Sequence, residues 1–384
     1  MDELFFTDEH RMLIDMVSDF AATEVAPVAR ELDAESRFPH ELVSQMAELG
    51  LMGIPVPEEY GGAGMDTVAY AAAIMELAKV DASVAITMAA HTSLGTMPIV
   101  ISGTEEQKQK YVPKLAAGEM LGAFGLTEPG AGSDSGATKT TAVKDGAEYI
   151  INGGKIFITN AGYAGILNLT TQIIEDGENK GIGAFIVPTD TPGLKIGPAE
   201  KKMGWKASDT RQLYFEDMRV PAENMLGNPS GGFKTFMKTL TGGRISIGAL
   251  GVGTAEGAYL KALKYSTERQ AFGQPISKFQ AVSFKLATMA TEIEAAKLLV
   301  FHAAWLKDQG HGVIKEAAMA KLFASEMAMR ATTEAIQILG GYGYVKEYDV
   351  ERFFRDAKVL EIGEGSSEVQ RLIIAREILK TVLN

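Results

Sequence analysis

The chain has 384 residues, and its 46% hydrophobic and 22% charged content is typical of a folded globular protein of two or three domains. The formal net charge of -12 argues against nucleic acid or an anionic membrane as a partner, because both attract an excess of Lys and Arg. The chain contains no cysteine, which excludes disulfides, thiolate metal ligands and cysteine nucleophiles. Any redox chemistry must therefore come from a bound cofactor.

The amino-terminal segment and the histidines bear on targeting and metal binding. Residues 1–17 carry acidic side chains where a signal peptide would carry basic ones, and no stretch reaches the roughly 18 uninterrupted apolar residues of a membrane span. The sequence therefore predicts a cytoplasmic protein without membrane insertion. The 5 histidines never stand three or four residues apart, the spacing that places two ligands on one helical face, so no metal site is predicted.

Residues 1–120 are predicted to form an all-helical domain. From residue 7 to about 118, apolar residues recur at intervals of three and four, which is the period of an amphipathic helix. Gly50 is predicted to end one helix, and Thr104 with Gln107 forms a capping box that begins another.

Residues 121–228 are predicted to form a β domain, because short β-branched and aromatic runs replace the helical period. Two such runs are 149–151 and 155–159. The Asn-Gly-Gly sequence between them, at 152–154, predicts a hairpin turn.

Residues 229–384 are predicted to form a second all-helical domain, with long helices near 232–267, 279–308 and 313–339. No internal repeat, low-complexity tract or long polar linker separates the three parts, so their boundaries are predicted to be packed interfaces. A crevice between such lobes is where small molecules usually bind.

Two glycine-rich segments invite comparison with nucleotide-binding loops. GALGVG (248–253) has the wrong spacing for a dinucleotide fingerprint and lies within a helical pattern, so it is interpreted as close helix packing. LTEPGAGSDSGA (126–137) follows a strand-like run and concentrates small residues. Such a loop lets backbone N–H groups approach a flat ring or an anion, but by itself it fits an ordinary turn equally well.

The second segment recurs with four others in a fixed order, and with them the chain resembles the acyl-CoA dehydrogenase family over essentially its whole length. The five segments are LTEPGAGSD (126–134), KIFITNAG (155–162), RQAFGQPISKFQ (269–280), QILGGYGY (337–344) and RDAKVLEIGEGSSEVQRLI (355–373). The resemblance implies an α+β fold with an amino-terminal helical domain, a middle β-barrel or sandwich domain and a carboxy-terminal four-helix bundle.

The resemblance implies an FAD site on the middle domain. In the family, backbone N–H groups of the loop and Thr127 hydrogen-bond the pyrimidine side of the flavin, where negative charge builds up on reduction. Thr159 reaches toward N5 from the other side. Many relatives carry Trp where this chain has Phe157, which without the family would equally well be a core residue of a strand. The implied contacts are Phe124, Leu126, Thr127, Gly132, Ser133, Phe157, Ile158 and Thr159.

The resemblance also implies contacts to the FAD of a neighbouring subunit. Arg269 suits a pyrophosphate because a planar guanidinium can pair with two phosphate oxygens, whereas in isolation a surface salt bridge would explain it better. The smallest complete unit is then a dimer, and the family is commonly a dimer of dimers, which predicts a homotetramer. The implied contacts are Arg269, Phe279, Gln280, Gln337, Ile338, Gly340 and Gly341.

Glu364, in IGEGSSEV, is the implied catalytic base. The α C–H of a thioester is a weak acid, so its removal needs a carboxylate in contact with it and donors for the enolate-like oxygen. In the family these donors are a ribityl hydroxyl of FAD and the backbone N–H of Glu364, and Gly363 and Gly365 let the backbone approach closely. On composition alone, Glu364 is a solvated carboxylate near a helix N-terminus, as are Glu361 and Glu368.

Other positions refine this assignment. Some relatives place their base on a helix of the carboxy-terminal domain, at the position of Gly243, which leaves Glu364 without a rival in this chain. Three residues match positions implied to contact substrate, namely Ser133, Arg244 and Gly365. Two match positions on the FAD side of the base loop, namely Ser366 and Glu368. Departures from the commoner family pattern affect the expected choice of substrate more than the reaction type, and they are Gly363 for Tyr, Ser366 for Thr and Glu368 for Gln.

The resemblance implies FAD-dependent dehydrogenation of a short or medium acyl-CoA to the trans-2-enoyl-CoA. Glu364 takes the α proton, flavin N5 accepts the β hydride, and electrons pass to electron-transferring flavoprotein. Two alternatives stay open. One is an acyl-CoA oxidase or flavin monooxygenase on the same fold, which O2 would reoxidise. The other is a non-enzymatic helical scaffold that has kept the fold but not the flavin.

Overall fold

The computed structural model describes residues 2–383, and its amino-terminal part is helical as predicted. Its helices are α1 (Asp2–Phe5), α2 (Asp8–Phe20), α3 (Ala29–Glu35), α4 (His40–Glu48), α5 (Thr67–Ala78), α6 (Ala82–Ala90), α7 (Met97–Ser102) and α8 (Glu105–Ala116). Two π-helical segments, Ala21–Val25 and His91–Thr96, interrupt the series.

The predicted signals at helix ends are confirmed. The Thr104 side chain accepts the N–H of Gln107, whose side chain in turn accepts the N–H of Thr104, so a capping box begins α8. The same Gln107 donates to the carbonyls of Glu223 and Met225, which ties α8 to the end of the β domain. After α4, Gly50 has a φ of +73°, the left-handed conformation that favours glycine beyond a helix end.

The β domain is a mixed seven-stranded sheet. Its strands are β1 (Leu121–Gly125), β2 (Thr141–Asp145), β3 (Glu148–Thr159), β4 (Ala164–Glu175), β5 (Glu178–Pro188), β6 (Leu194–Ala199) and β7 (Thr210–Pro221). They lie in the order β1-β4-β2-β3-β7-β6, with β5 paired to β4. β4 runs parallel to β1 and β2, whereas the other pairs are antiparallel.

The predicted hairpin turn at 152–154 is wrong, because these residues lie inside the continuous strand β3. A bulge interrupts the pairing with β7 at Gly153, and Asn152 exchanges two hydrogen bonds with Asp217 of β7. A side-chain carbon at Gly153 would lie 2.6 Å from Thr140 Oγ1, so the glycine permits close approach of β2. The turn-like sequence marks a bulge rather than a reversal of the chain.

The carboxy-terminal part is a helical bundle whose three long helices begin and end within one residue of the predicted ranges. They are α9 (Gly232–Glu268), α10 (Gln280–Asp308) and α11 (Ile314–Leu339). Two short strands, β8 (Gln270–Ala271) and β9 (Gln274–Pro275), connect α9 to α10. The shorter helices are α12 (Gly341–Tyr344), α13 (Val350–Leu360) and α14 (Ser367–Leu383).

The glycines of GALGVG pack helices, as predicted. They lie inside α9, and a side-chain carbon at Gly253 would lie 2.4 Å from the carbonyl oxygen of Met75 in α5. At Gly251 it would lie 3.2 Å from the carbonyl oxygen of Ala324 in α11. The two helices therefore approach the backbone of α9 more closely than larger residues would allow.

One helical run, Ala82–Ser102, is long and apolar enough to cross a membrane, but 78% of its most apolar window is buried inside the protein. His91 in this run accepts the N–H of Gly122 through Nδ1 and donates through Nε2 to the carbonyl of Leu115. Burial lowers the pKa of His91 to about 4, so the ring is neutral. The run is thus a core helix that fixes β1, and the loop at 126–133 follows β1 directly.

Candidate active site

Glu364 lies in the short loop between α13 and α14. Its φ of +51° is uncommon for a residue with a side chain, and Gly365 follows with a φ of +96°. Gln370 of α14 donates from Nε2 to the carbonyls of Glu364, at 3.3 Å, and Gly365, at 2.8 Å. Lys321 of α11 donates from Nζ to the carbonyl of Gly365 at 2.7 Å. These bonds hold the turn that presents the Glu364 side chain.

The carboxyl group of Glu364 lies against α9. A side-chain carbon at Gly243 would lie 2.1 Å from Glu364 Oε2, so only glycine leaves room for the carboxyl group in this position. Glu364 Oε2 is fully enclosed and has no hydrogen-bond partner within residues 2–383. The interpretation of Glu364 as a fully solvated carboxylate therefore does not hold for this oxygen, whose capacity to accept a proton is unused within the described residues.

Two buried cations flank this carboxyl group. Burial raises the pKa of Glu364 to about 7, although the charges of Lys321 and Arg244 favour its ionised form. Burial also lowers the pKa of Lys321 to about 8 and lowers the pKa of Arg244 from its usual value. Both side chains are enclosed, at 0% and 6% exposure. Glu364 is therefore able to gain or lose a proton near neutral pH, which is the property of a general base.

The two segments expected to flank a flavin lie side by side. The N–H of Ile156 donates to the carbonyl of Thr127 at 2.8 Å, which joins β3 to the loop after β1. Phe157 has a φ of +60° and is 61% exposed, so it is not a core residue. Side-chain carbons at Gly130 and Gly132 would meet no atom within 4 Å, so the loop faces open space. A strained, exposed aromatic residue beside an open loop is typical of a ligand site.

The other residues predicted to contact the flavin differ in exposure. Phe124 is buried against Phe236 of α9, with ring centroids 4.4 Å apart. Ile158 is also buried, so its predicted contact with a cofactor would be made by the backbone. Leu126 and Thr159 are half-buried, whereas Gly132 and Ser133 are exposed.

A buried ion pair supports the loop at 126–133, and the sequence analysis missed it. Lys155 Nζ lies 2.7 Å from Glu128 Oε1 and donates to the carbonyl of Leu126 at 3.0 Å. Burial alone would raise the pKa of Glu128, but hydrogen bonds from Lys155 and Thr138 lower it to about 2. The available signal was a lysine directly before the apolar run 156–158, which alone does not identify its partner.

A cavity of about 500 Å³ opens at the carboxy-terminal end of α11. It brings together four residues predicted to contact the FAD of a neighbouring subunit, namely Arg269, Ile338, Gly340 and Gly341. The guanidinium of Arg269 lies 5.6 Å from the ring centre of Tyr342. Arg269 forms no salt bridge in the described part of the chain, so the salt-bridge interpretation finds no support. Three further predicted residues lie outside the lining, namely Phe279, Gln280 and Gln337.

The remaining predicted residues fall on separate elements. Arg244 lies in α9 beside Glu364. Ser366 Oγ accepts a backbone N–H of the first turn of α14 at 3.4 Å. Glu368 is exposed, and a hydrogen bond that its carboxylate accepts from Ser366 lowers its pKa. Ser133 belongs to the loop at 126–133, and no backbone hydrogen bond joins that loop to the loop of Glu364 among the described residues.

Comparison with known proteins decides the family. Three models of acyl-CoA dehydrogenase domains match the chain in order, the N-terminal domain at 7–119, the middle domain at 123–218 and the C-terminal domain at 230–379. The chain belongs to the acyl-CoA dehydrogenase family. The family and the fold inferred from the sequence are thereby confirmed.

Relatives of this acyl-CoA dehydrogenase are similar along nearly their whole length. A probable acyl-CoA dehydrogenase of Bacillus subtilis is 56% identical over 376 residues, which cover 97% of this chain and 99% of the relative. The short-chain specific acyl-CoA dehydrogenase of Clostridium acetobutylicum is 50% identical over 374 residues, which also cover 97% and 99%. The chain is therefore an oxidoreductase of the acyl-CoA dehydrogenase class.

Solved structures of similar proteins have the same fold as this chain. Butyryl-CoA dehydrogenase from Megasphaera elsdenii has a TM-score of 0.95 at 46% identity, covering 97% of this chain and 99% of that one. A chain in a study of the electron transferring flavoprotein of Acidaminococcus fermentans has a TM-score of 0.95 at 48% identity, covering 98% and 99%. An acyl-CoA dehydrogenase complexed with FAD from Bacillus anthracis has a TM-score of 0.92 at 38% identity, covering 98% and 68%. FAD is the cofactor of this family.

The residues of this acyl-CoA dehydrogenase fit FAD. The exposed ring of Phe157 stands beside a glycine loop whose surface is open, as a flat ring system requires. Arg269 faces a cavity with its guanidinium free of carboxylate partners in the described chain, as a phosphate ligand requires.

Proposed function

We propose that this acyl-CoA dehydrogenase converts an acyl-CoA thioester to the trans-2-enoyl-CoA, with Glu364 as the base that takes the α proton. The observation that carries the proposal is the state of Glu364 Oε2, which is enclosed and has no partner within residues 2–383. Its carboxyl group has a pKa of about 7 because of burial. An ionised carboxylate of raised pKa is a stronger base than a solvated one.

The loop also supplies a donor for the thioester oxygen. The backbone N–H of Glu364 has no backbone acceptor among the described residues, so it is available to the carbonyl on which negative charge builds up as the α proton leaves. The turn is held by Gln370 and Lys321, which fixes the direction of both the N–H and the carboxyl group. Gly365 contacts the substrate in this proposal, and Arg244 and Ser133 contact its CoA arm.

FAD, when bound, supplies the acceptor for the β hydride. Thr127 and the backbone N–H groups of its loop would donate to the electron-rich side of the ring, and Phe157 would pack against the ring. Within one subunit, the proposed FAD ligands are Phe124, Leu126, Thr127, Gly132, Ser133, Phe157, Ile158, Thr159, Ser366 and Glu368. A neighbouring subunit would contribute Arg269, Phe279, Gln280, Gln337, Ile338, Gly340 and Gly341.

The names of relatives guide the finer points of the proposal. A short acyl chain is supported by a relative named short-chain specific and by a structural neighbour named butyryl-CoA dehydrogenase. Electron-transferring flavoprotein as the acceptor is supported by the study in which another neighbour was solved. The proposal further includes a homotetramer and a location in the cytoplasm. Each subunit would consist of three domains, at 1–120, 121–228 and 229–384.

Anaerobic reduction of the flavin tests this function. Purified enzyme loaded with FAD is mixed with butyryl-CoA, and the yellow absorbance of oxidised flavin is expected to bleach. Glu364→Gln is expected to keep FAD and lose bleaching, because the amide cannot take a proton. Unchanged absorbance across a panel of acyl-CoAs would reject the reaction. Normal bleaching by the Gln variant would reassign the base. Peroxide formed during aerobic turnover would favour the oxidase alternative.

A further inference from the structure

We propose that Lys321 is a positioning residue for this reaction, one that holds the turn of Glu364 and keeps its carboxylate ionised. The inference rests on the function proposed above. Lys321 lies in the first half of α11 and is completely buried. A buried ammonium group is costly unless a partner compensates it. Its Nζ donates to the carbonyl of Gly365 at 2.7 Å, the residue that directly follows the base.

The first role of Lys321 is mechanical. The carbonyl of Gly365 accepts from both Lys321 Nζ and Gln370 Nε2, so donors from two helices converge on one oxygen. A side-chain carbon at Gly365 would lie 2.7 Å from Gln370 Nε2, so a larger residue at this position would push the Gln370 amide away. Glu364 itself has a φ of +51°, which costs free energy that neighbouring contacts must offset. The ammonium group of Lys321 is one of these contacts.

The second role of Lys321 is electrostatic. Two other carboxylates act on it, but each already has a surface cation: Glu361 pairs with Lys358 and Glu326 pairs with Arg371. Lys321 forms no salt bridge within the described chain. Glu364 is thus left as the carboxylate whose charge balances Lys321.

The surroundings of Glu364 contain few other charges. Arg244 of α9 is the second cation that acts on it, and Tyr70 of α5 is the neighbouring phenol, whose hydroxyl donates to the carbonyl of Ala89. Removing the charge of Lys321 therefore leaves Arg244 as the cation opposing protonation of Glu364. The carboxyl pKa should rise, and less of the base should be ionised at neutral pH.

The experiment measures flavin reduction by butyryl-CoA against pH in the FAD-loaded enzyme. For Lys321→Met we expect the midpoint of the rate profile to move up by about one unit, and kcat at pH 7 to fall about fivefold to tenfold. KM should change by less than about twofold, since Lys321 is not placed on the substrate. Lys321→Arg keeps a cation and a donor, so its midpoint should stay at the wild-type value.

Two further variants make the test decisive. Ser325→Ala alters a buried residue one turn along α11 whose hydroxyl bonds only to carbonyls of its own helix, and its profile should match the wild type. Lys321→Gln keeps an amide donor without charge and replaces Lys321→Met if that variant does not fold. A wild-type midpoint in whichever neutral variant folds overturns the inference. Absence of bleaching in the wild-type enzyme would instead reject the proposed function itself.

Discussion

Gly243 and Glu364 lie in direct contact, because a side-chain carbon at 243 would lie 2.1 Å from Glu364 Oε2. One residue belongs to α9 and the other to the loop before α14. The sequence resemblance implies that some relatives carry their base at the first of these positions. The contact gives a physical reason, since both positions direct a side chain into the same small volume. A side chain at 243 would therefore displace the carboxyl group of Glu364 from its present position.

Gly243→Ala is expected to displace the carboxyl group of Glu364 and reduce turnover at least tenfold. The clash involves a carboxyl oxygen that is itself enclosed, so relief requires rotation of the side chain away from its position. Flavin reduction by butyryl-CoA measures the effect.

Gly242→Ala is the matched control, because the nearest atom to a side-chain carbon there is Lys307 Nζ at 3.6 Å, an ordinary contact. It makes the same chemical change in the same helix one residue earlier. We expect turnover within about twofold of the wild type. Equal losses in both variants would attribute the effect to α9 rather than to the carboxyl group.

The rate of flavin reduction is expected to rise with pH through a midpoint near 7. Burial raises the pKa of Glu364 to about 7, and the ionised form is the base, so activity is lost as the pH falls below this value. At pH 6 the rate should be about a tenth of its plateau. Stopped-flow measurement from pH 5.5 to 9 checks this. A midpoint near 4.5 would mean that Glu364 is solvated in the working enzyme.

Lys155→Met is expected to destabilise the β domain and to lower FAD retention. It leaves the buried Glu128 without its cation, although Thr138 and the N–H groups of Lys139 and Thr140 still donate to it, and it removes the donor to the carbonyl of Leu126. Breaking a buried pair costs up to about 3–5 kcal/mol. Denaturant unfolding and the ratio of flavin to protein after purification measure the two effects. Lys195→Met breaks an exposed pair with Glu216 in the same domain, and it should cost at most about 1 kcal/mol.

Arg269→Gln is expected to weaken FAD binding at least tenfold. Its guanidinium lines the cavity at the end of α11 and forms no salt bridge in the described part of the chain. The substitution therefore removes a charge that is available to a phosphate rather than one that pairs with a carboxylate. Fluorescence titration of the apoprotein with FAD gives the dissociation constant. Lys264→Gln removes an exposed cation from the preceding part of α9, outside the cavity lining, and should leave the dissociation constant unchanged.

The sequence predicted the features that depend on local pattern. The three long helices and the capping box at Thr104 follow from periodicity and side-chain chemistry over a few residues, and the structure confirms them. The predicted turn at 152–154 was wrong because that prediction also used local pattern alone. Their Asn-Gly-Gly sequence is ambiguous locally, and its meaning depends on Thr140 and Asp217, which approach only in the folded sheet.

The partners of the buried charged residues could not be predicted from the sequence. Lys321 and Gly365 are separated by 44 positions, and Lys155 and Glu128 by 27. Lysine is usually exposed, so neither residue stands out by type. Glu364 was proposed as the base from a sequence motif, because its burial depends on Gly243, which lies on another helix far away in the sequence.

Helix α11 contacts the base loop through Lys321 and lines the Arg269 cavity through Ile338 and Leu339. These contacts lie about 26 Å apart along a single rod, at 1.5 Å per residue. If the cavity receives the cofactor of another subunit, as proposed above, this helix would connect two reaction centres. The loop that carries Glu364 and the proposed contact between subunits would then be attached to the same helix.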